Sequence, residues 1–240
     1  MIVFSRHDAG FGNLLILLSD SRNVCNKIYR NVYEAFELSK CVDLVGYTIT
    51  EEPGQHPPAN ILMNKKTIFE VHSKIRDFVR PTPYMKQKIE ENVHLINGVT
   101  AAVHIRRGHY SKDSHQFKTT PSAAFLHCSD SGLENFKNII RQNVGKVYLA
   151  SDSKELKEEL KKEFGDKLSM LDTEFAITAH QDAGNTQTVK NLHDAYLEWF
   201  LLSMCPKLYI TGGNTDLTGF STYSYTAGIY GRNLTDIIFN

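Results

Sequence analysis

Residues 99–105, Val-Thr-Ala-Ala-Val-His-Ile, form a mostly apolar run that ends on Arg106, Arg107 and Gly108. A run of this length and character predicts a buried strand. Ligands of open α/β sheets bind beyond the carboxyl ends of such strands. A guanidinium placed there offers a fixed fork of donors that matches a phosphate bidentately. Gly108 lets the backbone turn or approach a ligand closely. The plainer alternative is a strand end carrying two solvated arginines. Arg106 is the first choice for holding an anion; Arg107 either assists it or pairs with a carboxylate.

Two other stretches suit an anion. Gly10-Phe11-Gly12-Asn13 follows the strand-like Ile2-Val3-Phe4-Ser5 and opens a helical stretch. The N–H groups of a helix N-terminus, with about half a positive charge, favour a phosphate. A tight turn needing glycine for its φ angle accounts for the same residues equally well. Ser221 and Thr222 open the last helical stretch, where their hydroxyl and N–H groups can hold a phosphate or cap the helix. Those two roles are compatible. Asp152-Ser153 precedes Lys154-Glu155-Leu156, and helix capping alone would explain both residues.

The elements that must position these groups are read as follows. The first half predicts a strand over 2–5, a long helix over 13–39 and a strand over 42–46. A loop spans 50–60, which holds Pro53, Gly54, Pro57 and Pro58. Helical spacing returns over 68–79 and 84–92, broken by Pro81 and Pro83. Asn97-Gly98 is a turn and the expected domain boundary, giving an N-terminal unit of 1–97 and a C-terminal unit of 98–240. The second half alternates: strand 99–106, loop 107–121, helix 131–142, strand 146–151, helix 153–164, strand 168–171. After a polar stretch at 178–187 come helix 188–204, strand 207–211 and helix 222–230. Asp236 to Phe239 is a last strand or a tail. Alternating strands and helices predict parallel βαβ units, an α/β fold.

Composition narrows the function. Lys plus Arg and Asp plus Glu number 27 each, so no global field draws in nucleic acid or an anionic membrane. No basic stripe alternates with aromatics, and no nucleic-acid partner is expected. No run approaches the roughly 20 apolar residues of a membrane span, and the N-terminus lacks a signal-peptide core. Cys25, Cys41, Cys128 and Cys205 are widely spaced without Cys-x-x-Cys, which predicts free thiols in a reducing compartment. Without a secretion signal, Asn233-Leu234-Thr235 is read as a chance sequon. His7, His104, His115 and His127 show no metal-ligand spacing, and no Asp-x-Asp closes a strand. No metal site is expected. Trp199 lies in the apolar stretch Tyr196 to Met204 and reads as packing.

The strand followed by His-x-Arg-Arg-Gly resembles the Arg-rich signature of the fucosyltransferase superfamily that makes α1,2-, α1,6- and protein O-fucosyl linkages. Gly10-Phe11-Gly12-Asn13 is similar to the Gly-x-Gly-Asn loop that opens that family's N-terminal domain. Val147 to Ser153 is similar to its second block, a strand ending in Ser/Thr-Asp. Asp194 through Thr211, followed by Gly219-Phe220-Ser221-Thr222, resembles its third. Four motifs in order cover nearly the whole chain.

The resemblance implies a glycosyltransferase B architecture, with two small Rossmann-like lobes facing a cleft. The second lobe would bind a nucleotide sugar, and the first would lie on the acceptor side. It implies an inverting, metal-independent transfer of fucose from GDP-fucose to a hydroxyl of a glycan or glycoprotein. His104, Arg107, Gly10, Phe11, Gly12, Asn13, Ser221 and Thr222 would then line the donor site with Arg106. Asp152, with Ser153, stands where the family recognises the nucleotide base. Asp194 would support the site from beneath. For a general base, Asp113 lies in a loop that carries a carboxylate in some members, and Asp8 stands where another branch has an acidic residue; His109 is chemically able. His109 occupies the position of a usual Asp, and Cys205-Pro206 that of a common Cys-Asp. The first departure keeps UDP-xylose open as the donor. A non-catalytic nucleotide- or glycan-binding protein is the reading from another class. Family members of eukaryotes are anchored in the Golgi or endoplasmic reticulum, so an anchorless unit suggests a cytoplasmic enzyme of a bacterium or virus. The polar loops 50–60 and 178–187 are where an acceptor would be read.

Overall fold

The computed structural model describes residues 11–21, 25–54, 74–107, 110–111, 116–117, 127–172, 189–213 and 220–238. The first part holds α1 (Phe11–Ser21), β1 (Lys27–Tyr29), α2 (Arg30–Ala35), α3 (Leu38–Cys41), β2 (Val42–Leu44) and β3 (Thr48–Thr50). It continues through α4 (Ile75–Phe78), β4 (Val79–Pro81), α5 (Pro83–Asn92) and a 3-10 turn at Val93–Ile96. The second part runs through β5 (Val99–Ile105), the short strands β6 (Tyr110–Ser111) and β7 (Gln116–Phe117), α6 (Asp130–Gln142), β8 (Lys146–Ser151) and α7 (Lys154–Phe164). It ends with β9 (Leu168–Ser169), α8 (Val189–Met204), β10 (Lys207–Thr211), α9 (Thr222–Gly231) and β11 (Leu234–Ile238).

One five-stranded sheet organises the second part, in the order β11-β10-β5-β8-β9, and all of its pairs are parallel. Starting from β5, the chain adds β8 and β9 on one side, then returns to add β10 and β11 on the other. The direction of winding therefore reverses between β5 and β10. Open α/β sheets bind ligands at such a switch point.

Side chains alternate across β5 as a strand's pleat requires. Val103 and Ile105 join one buried cluster with Leu133, Phe136 and Ile140 of α6 and with Leu156 and Leu160 of α7. Ala102 joins the opposite cluster with Trp199, Leu202 and Tyr225. Helices on both faces explain the continuous apolar run in the sequence.

The opposite cluster also takes in Leu14, Leu18, Ile28, Phe36 and Phe78, so one core crosses the Asn97-Gly98 turn. Helix α8 is the strut through it. Tyr196 Oη donates to the Phe36 carbonyl at 2.6 Å, and Trp199 Nε1 donates to Thr226 Oγ1 at 3.1 Å. Trp199 is fully buried, as its apolar helix predicts.

The first half departs from expectation. The helix expected over 13–39 ends at Ser21, and β1, α2 and α3 follow. Glu37 separates the last two in the left-handed region, at φ 49°, where a continuous helix cannot pass. Among the described residues before 97, strands pair only as a parallel β1–β3 ladder and an antiparallel β2–β4 ladder. The residues 236–239 were open between strand and tail; β11 resolves this as an edge strand paired along β10.

Candidate functional site

The carboxyl end of β5 lies between the ends of β8 and β10. Its last regular partners are Ile210 opposite His104 and Ser151 opposite Ile105. Beyond them the two arginine N–H groups are satisfied by side chains from the flanking strands. Arg106 N–H donates to Thr211 Oγ1 at 2.9 Å, and Arg107 N–H donates to Asp152 Oδ1 at 2.6 Å. The same Thr211 hydroxyl donates to the His104 carbonyl at 3.0 Å, and the Ser151 hydroxyl to the Ile105 carbonyl at 2.7 Å. Sequence reasoning passed over Thr211 and Ser151. The available signal was a hydroxyl residue closing each strand that flanks β5, in Lys-Leu-Tyr-Ile-Thr and Lys-Val-Tyr-Leu-Ala-Ser.

The two arginines diverge. Arg107 is buried, and its guanidinium donates to the carbonyls of Cys128 at 3.3 Å and Ser129 at 2.8 Å and pairs with Asp130. It locks β5 onto the start of α6. Of its two readings the carboxylate pairing is present in the structure, with the fork also bonded to two carbonyls. Arg106 is half-buried, and among the described residues its guanidinium enters no hydrogen bond or ion pair. Burial lowers its pKa from the ordinary value, and the Asp152 carboxylate opposes that shift.

His104 is buried on the face toward α9, its ring 5.3 Å from that of Tyr223. Burial lowers its pKa to about 4, against the pull of Asp152. It is therefore neutral at neutral pH. Its Nδ1 has no hydrogen-bond partner among the described residues.

Two helix N-termini meet beside this strand end. Ser221 precedes α9 and is fully buried; its N–H donates to the Thr211 carbonyl at 2.9 Å. Its hydroxyl does not cap the helix and has no partner among the described residues. Thr222, half-buried, begins the first turn. Against that turn packs the start of α1. A Cβ on Gly12 would stand 2.4 Å from both Thr222 C and Tyr223 N, where real contacts exceed 3 Å. Glycine is thus required here by close backbone approach. Its φ is not in the left-handed region, so the turn explanation does not apply to it.

Phe11 packs edge-on to Tyr196 at 4.5 Å and to Trp199 at 5.6 Å. That ring anchors the start of α1 against the core. Asn13 is half-buried on the next position.

Asp152 and Ser153 divide their work. Ser153 is the N-cap of α7, its Oγ accepting the Leu156 N–H at 3.2 Å. Asp152 is not the cap; it bridges the ends of β8 and β5 through the Arg107 N–H. One turn into α7, buried Lys157 reaches Glu198 of α8 at 3.0 Å and the Leu171 carbonyl at 3.2 Å. Asp194 lies half-buried near the start of α8, next to Ala195, whose carbonyl accepts from Tyr223 Oη.

Asp8, Gly10, Gly108, His109 and Asp113 lie outside the described residues, as do His7, His115 and the 178–187 stretch. Among the described residues no group of three or more His, Cys, Asp or Glu is placed to hold a metal ion, and no helix is long and apolar enough to cross a membrane.

No family model matches this chain, and no curated protein does. Solved structures do. The structure of the α1,6-fucosyltransferase NodZ soaked with GDP-fucose aligns over 95% of this chain and 92% of its own, with a TM-score of 0.55 at 14% identity. The fucosyltransferase NodZ from Bradyrhizobium aligns over 98% and 93%, with a TM-score of 0.57 at 15% identity. The chain thus shares the α/β fold of these proteins.

Proposed function

We propose that this chain is a glycosyltransferase that moves fucose from GDP-fucose to a hydroxyl of a glycan or glycoprotein, with inversion and without a metal ion. The observation that carries this reading is the meeting of Arg106, the start of α1 and the start of α9 at the β5/β10 switch point. Residues 98–240 would bind the donor, and 1–97 would lie on the acceptor side. The fold shared with NodZ supports the reaction class. The NodZ structure was soaked with GDP-fucose, which supports the donor.

As the bond from sugar C1 to the β-phosphate oxygen breaks, negative charge grows on that phosphate. Donors fixed in advance and aimed there stabilise the transition state more than the ground state. Arg106 supplies the charged donor. The N–H groups at Gly12 and Asn13 and at Thr222 supply the helix ends, with the Ser221 hydroxyl, which has no partner among the described residues, beside them. Gly10 belongs to the same loop. His104, neutral, offers Nδ1 as a donor or acceptor according to its tautomer. Asp152, backed by Ser153, accepts from the guanine N1–H and 2-amino group while holding the Arg107 N–H. The acceptor oxygen adds to C1 from the opposite side, which inverts it, and its proton passes to Asp113 or Asp8. The four free, buried cysteines suit a reducing compartment such as the cytoplasm of a bacterium or a virus-infected cell.

A thermal-shift panel with GDP, GDP-fucose, UDP, UDP-xylose and UDP-glucose, with and without magnesium and EDTA, tests this reading. A ligand at 100 times its dissociation constant adds about 2.7 kcal/mol. Stabilisation by guanosine ligands alone, indifferent to EDTA, is the expected result. Stabilisation by uridine ligands replaces the donor. No shift with any of them refutes the nucleotide-sugar reading.

A further inference from the structure

We infer that Thr211, the last residue of β10, is a positioning residue that couples Arg106 to the N-terminus of α9. The inference rests on the phosphate-site reading above. The β5–β10 ladder ends at the pair His104–Ile210, so the next backbone groups of β5 need another partner on that side. Thr211 is fully buried and its hydroxyl supplies both: it accepts from Arg106 N–H at 2.9 Å and donates to the His104 carbonyl at 3.0 Å. Its own carbonyl accepts the Ser221 N–H at 2.9 Å. The next residue, Gly212, is held by a bridge to Phe220 and by the Ile238 carbonyl, which accepts its N–H at 2.7 Å. One residue therefore grips the main chain of the arginine with its side chain and the start of α9 with its backbone.

The chemistry is specific. Only a hydroxyl both donates and accepts at one atom in this space, and among β-branched residues only threonine has one. Valine keeps the shape but leaves a buried N–H and carbonyl unmatched, a state that the chain relieves by moving one of them. The Arg106 backbone is the movable one, since its strand has ended. The site should then lose the alignment of the guanidinium with the helix end while the fold persists.

Calorimetric titration of the full chain with GDP tests this on Thr211→Val, Thr211→Ser, Arg106→Ala and the double variant Thr211→Val/Arg106→Ala. Thr211→Val should weaken GDP binding about 3- to 10-fold, the size of one net hydrogen bond. Thr211→Ser, which keeps the hydroxyl, should stay within about 2-fold. In the Arg106→Ala background Thr211→Val should have no further effect, because coupled residues are not additive. Wild-type affinity in Thr211→Val overturns the inference. So does equal loss in Thr211→Ser, which would point to the methyl group, or an additive double variant, which would point to a general structural role. If Thr211→Val does not fold, Thr211→Ala takes its place in the same cycle. A wild-type chain that does not bind GDP sinks the GDP-site reading and this inference with it; a wild type that binds, without coupling, sinks the inference alone.

Discussion

Lys157→Met should destabilise the protein by about 3–5 kcal/mol. The magnitude follows from burial: the ion pair is 3.0 Å long, and the side chains of Lys157 and Glu198 are 5% and 3% exposed. Removing the ammonium strands a buried carboxylate and deprives the Leu171 carbonyl of its donor. For a chain of 150–250 residues each kcal/mol moves the melting temperature by about 2–4 °C, so the expected drop is roughly 6–20 °C. Replacing both partners, as Lys157→Met with Glu198→Leu, should bring the melting temperature back to within a few degrees of wild type. Buried pairs exchanged for apolar residues of similar volume are often neutral or stabilising. The pH dependence gives a second check. Burial already raises the Glu198 pKa, with Lys157 pulling it down; without Lys157 it rises further above the unfolded value. A carboxylate raised in the folded state destabilises fully above its folded pKa, and that cost is lost as pH falls through it. The Lys157→Met deficit should therefore shrink in acid. A Lys157→Met melt within about 3 °C of wild type, or a double variant as unstable as the single, would refute the reasoning.

Three other outcomes are expected. Gly12→Ala should cost about 1–3 kcal/mol by overpacking, because its Cβ meets backbone at 2.4 Å rather than a movable side chain; an unchanged denaturation midpoint would show that the two helix ends are not in contact. The two arginines should separate by phenotype: Arg106→Ala keeps its melting temperature and loses roughly 100- to 1,000-fold in turnover, whereas Arg107→Ala loses stability, and equal behaviour in both assays would contradict their divergence. Burial lowers the His104 pKa to about 4, so its titration should cost no stability above pH 6.5 and about 3 kcal/mol as pH falls to 4, where the unfolded chain takes up a proton that the folded one does not; stability curves of wild type and His104→Phe with equal slopes across that window would exclude it.

The centre of the sheet was legible because β5 and β8 are short, mostly apolar runs buried on both faces. β8 and β10 begin and end where the apolar runs do, at Lys146–Ser151 and Lys207–Thr211. The first half misled for a physical reason. Leu14, Leu15, Leu17, Leu18, Ile28, Val32, Phe36 and Leu38 are all buried, as helical spacing over 13–39 implies. Yet a helix, a three-residue strand and two short helices satisfy the same burial. Spacing cannot tell them apart when the break is a left-handed Glu37 rather than glycine or proline. The glycine at position 12 was legible, but its cause was not. It answers to the backbone of Thr222, which is more than 200 residues away in the sequence.

Nothing in Arg106-Arg107 distinguishes the two side chains by type, and what separates them is supplied from elsewhere. Arg107 finds carbonyls and a carboxylate at the start of α6, while its N–H is taken by Asp152. Arg106 has its main chain fixed by Thr211, and its guanidinium takes no described partner. Among the described residues the demands at this strand end are met by Thr211, Ser151, Asp152 and Arg107, and none of those bonds draws on the Arg106 guanidinium. With the formal net charge at zero, an anion gains little from the protein's overall field. Attraction must be local, and two helix ends beside an arginine whose guanidinium has no partner among the described residues suit it. The costs are visible nearby, in a histidine kept neutral by burial and a serine hydroxyl with no partner among the described residues. Unmet groups of this kind are expensive in a core and useful beside a charged ligand. Their clustering at the β5/β10 switch point is why a phosphate site is proposed there rather than at another helix N-terminus among the described residues.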